Sequence, residues 1–157
     1  VKGKRGEATT EGERGAAVPD LPCACASLRR ASRAVSQLYD GQLRASGLTA
    51  SQFTLLQVLE RAGAVTQGRL GRILVLDSTT LTRTLRTLEK RGWIRRREGE
   101  DRRERRISLT AAGRARYRRA LPAWTRAQAT LRAGVGRRAW ANLLAELARV
   151  AGTSRPA

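Results

Sequence analysis

Two short amphipathic segments separated by only three residues constrain this chain more than any other feature. The first, after Thr66, carries Leu70, Ile73 and Leu74 at helical spacing. The second runs from about Ser78 to Arg91, with Leu81, Leu85 and Leu88 at i, i+4 and i+7 and Gly92 as its stop. Between them Val75-Leu76-Asp77 is too short for anything but a tight turn, so the two helices must cross at a steep angle. Trp93–Arg97 then has strand character, Glu98-Gly99-Glu100-Asp101 has turn chemistry, and Arg103–Leu109 returns as a second strand. Helix, turn, helix and charged hairpin in that order describe a winged helix-turn-helix.

The flanks read as helices too. Leu28, Ala31, Val35 and Leu38 lay an apolar stripe on a helix that runs to about Ser46 and stops at Gly47. Thr49 and Gln52 have capping-box spacing ahead of a helix carrying Phe53, Leu56 and Leu59, ended by Gly63. Thr110 caps a long helix containing Leu121, Trp124 and Leu131, in which Pro122 predicts a kink or local break. Trp140, Leu143, Leu147 and Val150 mark a last helix after Gly134 and Gly136. Residues 1–20, poor in large apolar side chains, read as a disordered basic arm. Residues 21–157 form one winged-helix domain, with its DNA-binding part at about 48–110. A single winged domain cannot bury the terminal stripes, so the helices at about 23–46 and 111–151 are predicted to dimerise. The fold class is mainly α with a small β-hairpin wing.

Charge and missing residue types narrow the function. The formal net charge is +19, from 32 basic and 13 acidic residues, which favours a polyanionic partner. The chain has no histidine, so Ser-His-Asp and Cys-His catalysis and His-containing zinc sites are excluded. No spaced carboxylate pair, phosphate-cradling glycine loop or nucleophile motif is present, so an enzyme is not expected, nor is a cofactor. No apolar run approaches a membrane span and no signal-peptide core follows the N-terminus, which predicts a cytoplasmic protein without membrane contact. Double-stranded operator DNA is the expected partner.

On the second helix of the pair, Ser78, Thr79, Thr80, Thr82, Arg83 and Arg86 are the DNA-binding candidates. Small hydroxyl residues in a first turn permit close approach to DNA, and arginines offer paired donors to guanine or phosphate. The same pattern fits a solvated helix face with Ser and Thr as caps. In the hairpin, seven arginines between Arg95 and Arg106 face four acids. A narrow arginine-rich hairpin suits the electronegative minor groove, with Arg96, Asp101, Arg103 and Arg106 as candidates there.

The stretches LDSTTLTRTLRTLEKRGWIRR and DRRERRISLTAAG resemble the MarR family, with Asp101-x-Arg103-Glu104-x-Arg106 matching its wing motif. The resemblance runs from about Leu21 to Val150. It implies a winged helix-turn-helix dimerised through its N- and C-terminal helices, with Arg103 entering the minor groove and Asp101 orienting it. It implies Ser78, Thr79, Thr82 and Arg83 on the major-groove face, an effector pocket between the DNA-binding and dimerisation parts, and repression relieved by a ligand or oxidant. Tyr39, Phe53 and Trp124 are candidates for that pocket; plain core packing would also account for them.

A narrower resemblance links PCACASLRRASRAVSQLY to the first helix of organic hydroperoxide resistance regulators within that family. It places Cys25 at the peroxide-reactive cysteine and Tyr39 at a tyrosine contacting it. Arg29 and Ala50 stand where two further tyrosines would be, and Cys23 is extra. The thiols have three readings: no sensing role, redox sensing, or a soft metal ion held by Cys23 and Cys25. A non-specific architectural nucleic-acid-binding protein is the alternative to a sequence-reading regulator.

Overall fold

The computed structural model describes residues 22–98 and 105–153. Its elements are α1 (Ala24–Leu43), α2 (Ala50–Ala62), β1 (Val65–Thr66), α3 (Gln67–Leu74), α4 (Ser78–Lys90), β2 (Ile94–Glu98), β3 (Arg105–Leu109), α5 (Ala111–Val135) and α6 (Arg137–Thr153). Local chemistry sets most boundaries. A 3-10 turn, Arg44–Ser46, finishes α1, and Gly47 follows at φ 64°. The Thr49 hydroxyl accepts from Gln52 N–H while the Gln52 side chain accepts from Thr49 N–H, both at 3.2 Å, closing the capping box of α2. Thr66 caps α3 and Thr110 caps α5 in the same way, accepting from Arg69 N–H and Gly113 N–H. The cap of α4 is Asp77 rather than a Ser or Thr hydroxyl, its carboxylate accepting from Thr80 N–H at 2.8 Å.

The core fills the angle between α2, α4, α5 and the sheet. Phe53, Leu55, Leu56, Leu59, Leu70, Leu81, Leu85, Leu88, Ile94 and Ile107 are essentially sealed from solvent. The predicted stripe of α4 is therefore the buried one. That of α3 is only partly so, since Leu70 is buried whereas Ile73 is exposed. Val75 turns the chain between these helices at φ 51°, in the left-handed region that a β-branched residue rarely enters.

Three features depart from the sequence expectation. The hairpin has a third strand: β1 pairs antiparallel with β3, Val65 opposite Ile107, giving the order β1-β3-β2. Two residues are too few to carry an alternating pattern, so tertiary pairing alone defines that strand. Second, of the kink or local break expected at Pro122, the break does not occur, and α5 continues through it. A proline costs about 3 kcal/mol inside a helix, but packing of α5 against α1 and α2 along its length outweighs one lost hydrogen bond. Third, α5 buries Gly113, Tyr117, Ala120, Ala123 and Ala127 rather than leading with Leu121, Trp124 and Leu131. Small residues let the helix axes approach closely, which periodicity of large side chains does not reveal.

No residue of α6 is buried and only Leu43 of α1 is. Leu28, Leu144, Leu147 and Val150 are exposed. At the other end of α1, Arg91 donates to Gly47 O at 2.9 Å and Arg116 to Ser46 O at 2.8 Å. Both guanidiniums stand 4.9 Å from the Trp93 ring. The carbonyl end of the first helical segment is thus gripped by cations rooted beside the sheet.

Candidate nucleic-acid interface

With Leu81, Leu85 and Leu88 turned inward, helical geometry sends Thr79, Arg83, Arg86 and Lys90 outward, with Ser78, Thr82 and Glu89 along the edge nearest the sheet. Ser78, Thr79, Thr82, Arg83 and Arg86 line one shallow depression of about 410 Å³. Thr82, Arg86, Glu89, Arg96 and Arg105 line a second, of about 340 Å³. Thr82 and Arg86 belong to both, so one hydroxyl- and guanidinium-lined surface runs from the first turn of α4 to the base of the hairpin. Thr80 does not join it: it lies half-buried on the far edge of α4, its N–H given to Asp77.

Strand alternation divides the hairpin arginines. Arg96 stands opposite buried Ile107, and Arg105 shares that face, toward α4. Arg95 and Arg97 occupy the other face, opposite Ser108 and Arg106. Arg97 and Arg106 are thus directly opposed like charges, an arrangement that destabilises a strand pair until an anion intervenes. Arg106 is therefore on the outer face, away from α4. Asp101 and Arg103 lie outside the described residues, as does the arm at 1–20.

Arg96 is not a free cation. Its Nε donates to Glu89 Oε2 at 3.1 Å and its Nη1 to Gln67 Oε1 at 3.4 Å. Gln67 Nε2 in turn donates to Thr82 Oγ1 at 2.8 Å. Sequence reasoning missed Gln67, Glu89 and Arg105. The charge of the hairpin announced arginines, but nothing local announced which acid or amide each would meet. Asp77 adds a fixed negative charge at the start of α4. Hydrogen bonding from the Thr80 side chain, then from its backbone N–H, holds that carboxyl below its ordinary range.

The MarR family profile matches residues 48–104, which span α2, β1, α3, α4, β2 and the wing motif as far as Glu104. The transcriptional regulator MosR of M. tuberculosis, solved in complex with DNA, is 39% identical and superposes with a TM-score of 0.77, over 84% of this chain and 96% of that one. The chain belongs to the MarR family. A transcriptional repressor, CouR, solved bound to a 23-mer DNA duplex, is 29% identical at a TM-score of 0.75, over 82% of this chain and 92% of the other. Among curated relatives, the HTH-type regulator YwoH of Bacillus subtilis is 34% identical over 90 residues, and SarZ of Staphylococcus haemolyticus 38% over 90. Those stretches cover 57% of this chain and 66% and 61% of the relatives' lengths. The family is one of DNA-binding transcriptional regulators, not of enzymes.

The remaining candidates of this MarR-family chain lie away from α4. Cys23 and Cys25 are exposed at the start of α1. Tyr39 follows Cys25 by fourteen residues on the same helix, a rise of about 21 Å, so one chain does not bring them together. Instead the Tyr39 hydroxyl donates to Gln128 Oε1 on α5. Burial pushes the Tyr39 pKa above its ordinary value. Phe53 is 1% exposed, stacked 5.8 Å from Trp124 and tilted 5.2 Å from Tyr117. It is a core residue, and neither it nor Tyr39 is among the residues lining the cavity that Trp124 borders. Trp124 and Gln128 do line an open cavity of about 610 Å³, with Arg132, Arg137 and Trp140. Among the described residues no three Cys, Asp or Glu side chains cluster as metal ligands, and no helix is long and apolar enough to cross a membrane.

Proposed function

We propose that this protein is a transcriptional regulator that binds a pseudo-palindromic operator as a homodimer and represses until a small-molecule or oxidant signal releases it. The observation that carries the reading is the continuous surface from Ser78 through Thr82 and Arg86 to Arg105, which offers hydroxyl and guanidinium donors at the end of a helix sized for the major groove. Arg103, oriented by Asp101, enters the adjacent minor groove, and Arg97 and Arg106 meet phosphate on the outer face. The DNA complexes of MosR and CouR support this docking. The exposed stripes of α1 and α6 support a second copy as their cover, since Leu28, Leu144 and Leu147 present large apolar side chains to solvent. The effector site is the cavity beside Trp124, with Tyr39 behind Gln128.

Selection of bound fragments from genomic DNA, followed by titration of the winners at several salt concentrations, tests the reading. A regulator favours its operator over random DNA by a factor of about 10³ or more, with half-sites about one helical turn apart. A flat sequence preference with steep salt dependence would instead establish the architectural alternative.

Exposure of both thiols favours a second reading, in which Cys25 receives an oxidant and Cys23 stands two residues away. Cys25→Ser should then stay on operator DNA under peroxide while the unmodified protein leaves. Equal release of the two proteins refutes the redox reading.

A further inference from the structure

The polar chain at the base of the wing has a direction. Arginine only donates, so the amide oxygen of Gln67 must face Arg96, and its NH2 must therefore face Thr82. Thr82 Oγ1 is consequently an acceptor within the protein, and its own proton is left to give elsewhere. The neighbouring threonines of α4 behave differently. Thr84 donates to Thr80 O at 3.0 Å and Thr87 to Arg83 O at 3.1 Å, the usual fate of a threonine inside a helix. Thr82 makes no such bond among the described residues, and it lines both depressions of the DNA-facing surface.

From this we infer that Thr82 reads DNA as a hydrogen-bond donor whose polarity is set by the wing. Glu89 accepts from Arg96, Arg96 donates to Gln67, Gln67 donates to Thr82, and Thr82 donates to a base edge that offers an acceptor. Purine N7, guanine O6 and thymine O4 qualify, whereas the major-groove edge of cytosine offers only its N4 donor. A chain of donors polarised in one sense strengthens each link. Gln67 is a positioning residue, Thr82 the reading one. The same relay ties β2 to α4, so recognition in the major groove depends on the seat of the wing.

This inference rests on the proposed operator-binding function. Its test begins from the selected operator and the unmodified protein. Replacing, one at a time, the conserved acceptor-bearing bases of a half-site by analogues lacking that acceptor (7-deazapurines, or a pyrimidine without O4) should weaken binding about five- to tenfold at one position. Thr82→Val should lose the same factor on natural operator and show no further loss on that analogue, while Thr82→Ser restores binding. Gln67→Glu makes position 67 an acceptor toward both neighbours, so the Thr82 proton turns inward and the selected base should shift toward one that offers a donor, cytosine N4 or adenine N6.

Absence of any sequence preference in the unmodified protein would overturn the proposed function itself. Sequence-specific binding indifferent to every such analogue would overturn only the inference, as would a Thr82→Val loss equal on all DNA sequences. The analogue arm needs no variant, so a substitution that fails to fold does not block the decision.

Discussion

Gly113 is where the long helix lies against the backbone of Trp93, just ahead of the wing. A Cβ added there would sit 1.9 Å from Trp93 O, 2.8 Å from its carbonyl carbon and 3.1 Å from its Cα. Carbon and carbonyl oxygen normally approach to about 3.3 Å at closest, and backbone cannot rotate out of the way. Gly113→Ala must therefore move β2 or α5 by more than an ångström. The displaced groups are already committed: Trp93 O accepts from Thr110 N–H at 3.1 Å, and Thr110 donates to Gly92 O at 2.6 Å while capping Gly113 N–H. Overpacking costs about 1–3 kcal/mol and a weakened cap with its partner bond about 1–2. Alanine returns about 1 kcal/mol of helix propensity. The net is a destabilisation of about 2–3 kcal/mol, which for a domain of this size lowers Tm by about 5–10 °C. Urea unfolding followed by circular dichroism, at one fixed protein concentration, measures it. Gly134→Ala is the control: it lies in the same helix with nothing within 4 Å, so it should be neutral or stabilising by up to about 1 kcal/mol. A Gly113→Ala protein as stable as the Gly134→Ala protein would refute the reasoning.

Other expectations follow from single features. Arg103→Ala should weaken operator binding at least tenfold in gel-shift titration while sedimentation still shows a dimer. Arg83→Ala should cost about 1–3 kcal/mol of operator affinity if it reads a base, with altered preference at one position. Asp77→Asn keeps a cap oxygen but removes a charge near phosphate, so DNA affinity should rise most at low salt. Because the folded-state pKa of Asp77 is lowered, its contribution to stability is full above the unfolded value near 4 and lost as pH falls through the folded one. Asp77→Asn should therefore have a flatter acid unfolding profile. Leu147→Glu in the exposed stripe of α6 should shift sedimentation from dimer toward monomer. For Tyr39, whose pKa is raised, stability is full below the unfolded value of about 10 and falls as pH rises through the folded one. The ultraviolet difference between native protein and Tyr39→Phe should thus titrate above pH 10.

Much of this architecture is legible without coordinates because its causes lie within a few residues. Thr49, Thr66 and Thr110 cap helices by bonding three residues ahead. Leu81, Leu85 and Leu88 fix which side of α4 faces inward, and by subtraction place Thr79, Arg83 and Arg86 outward. Gly47 and Gly92 end helices because φ near 65° suits a residue without a Cβ. The helix, turn, helix and hairpin, and with them the outward face of α4 proposed to read DNA, therefore follow from local pattern and charge.

Tertiary structure decided what local pattern leaves open. Phe53 and Trp124 looked alike as aromatic candidates, yet one is sealed in the core and the other borders a cavity, because burial depends on what α5 and α6 place beside them. Arg96 looked like one more wing cation, but Glu89 and Gln67, seven and twenty-nine residues away, take up its donors. Pro122 by itself predicts a kink or a local break, and tertiary packing leaves the helix unbroken there. The two amphipathic segments around Val75-Leu76-Asp77 determined by themselves that this chain would form a helix-turn-helix. Only the fold, by bringing Gln67 and the wing base against Thr82, decided which way the Thr82 hydroxyl points its proton, since a hydrogen bond's polarity belongs to the whole chain of donors and not to any one residue.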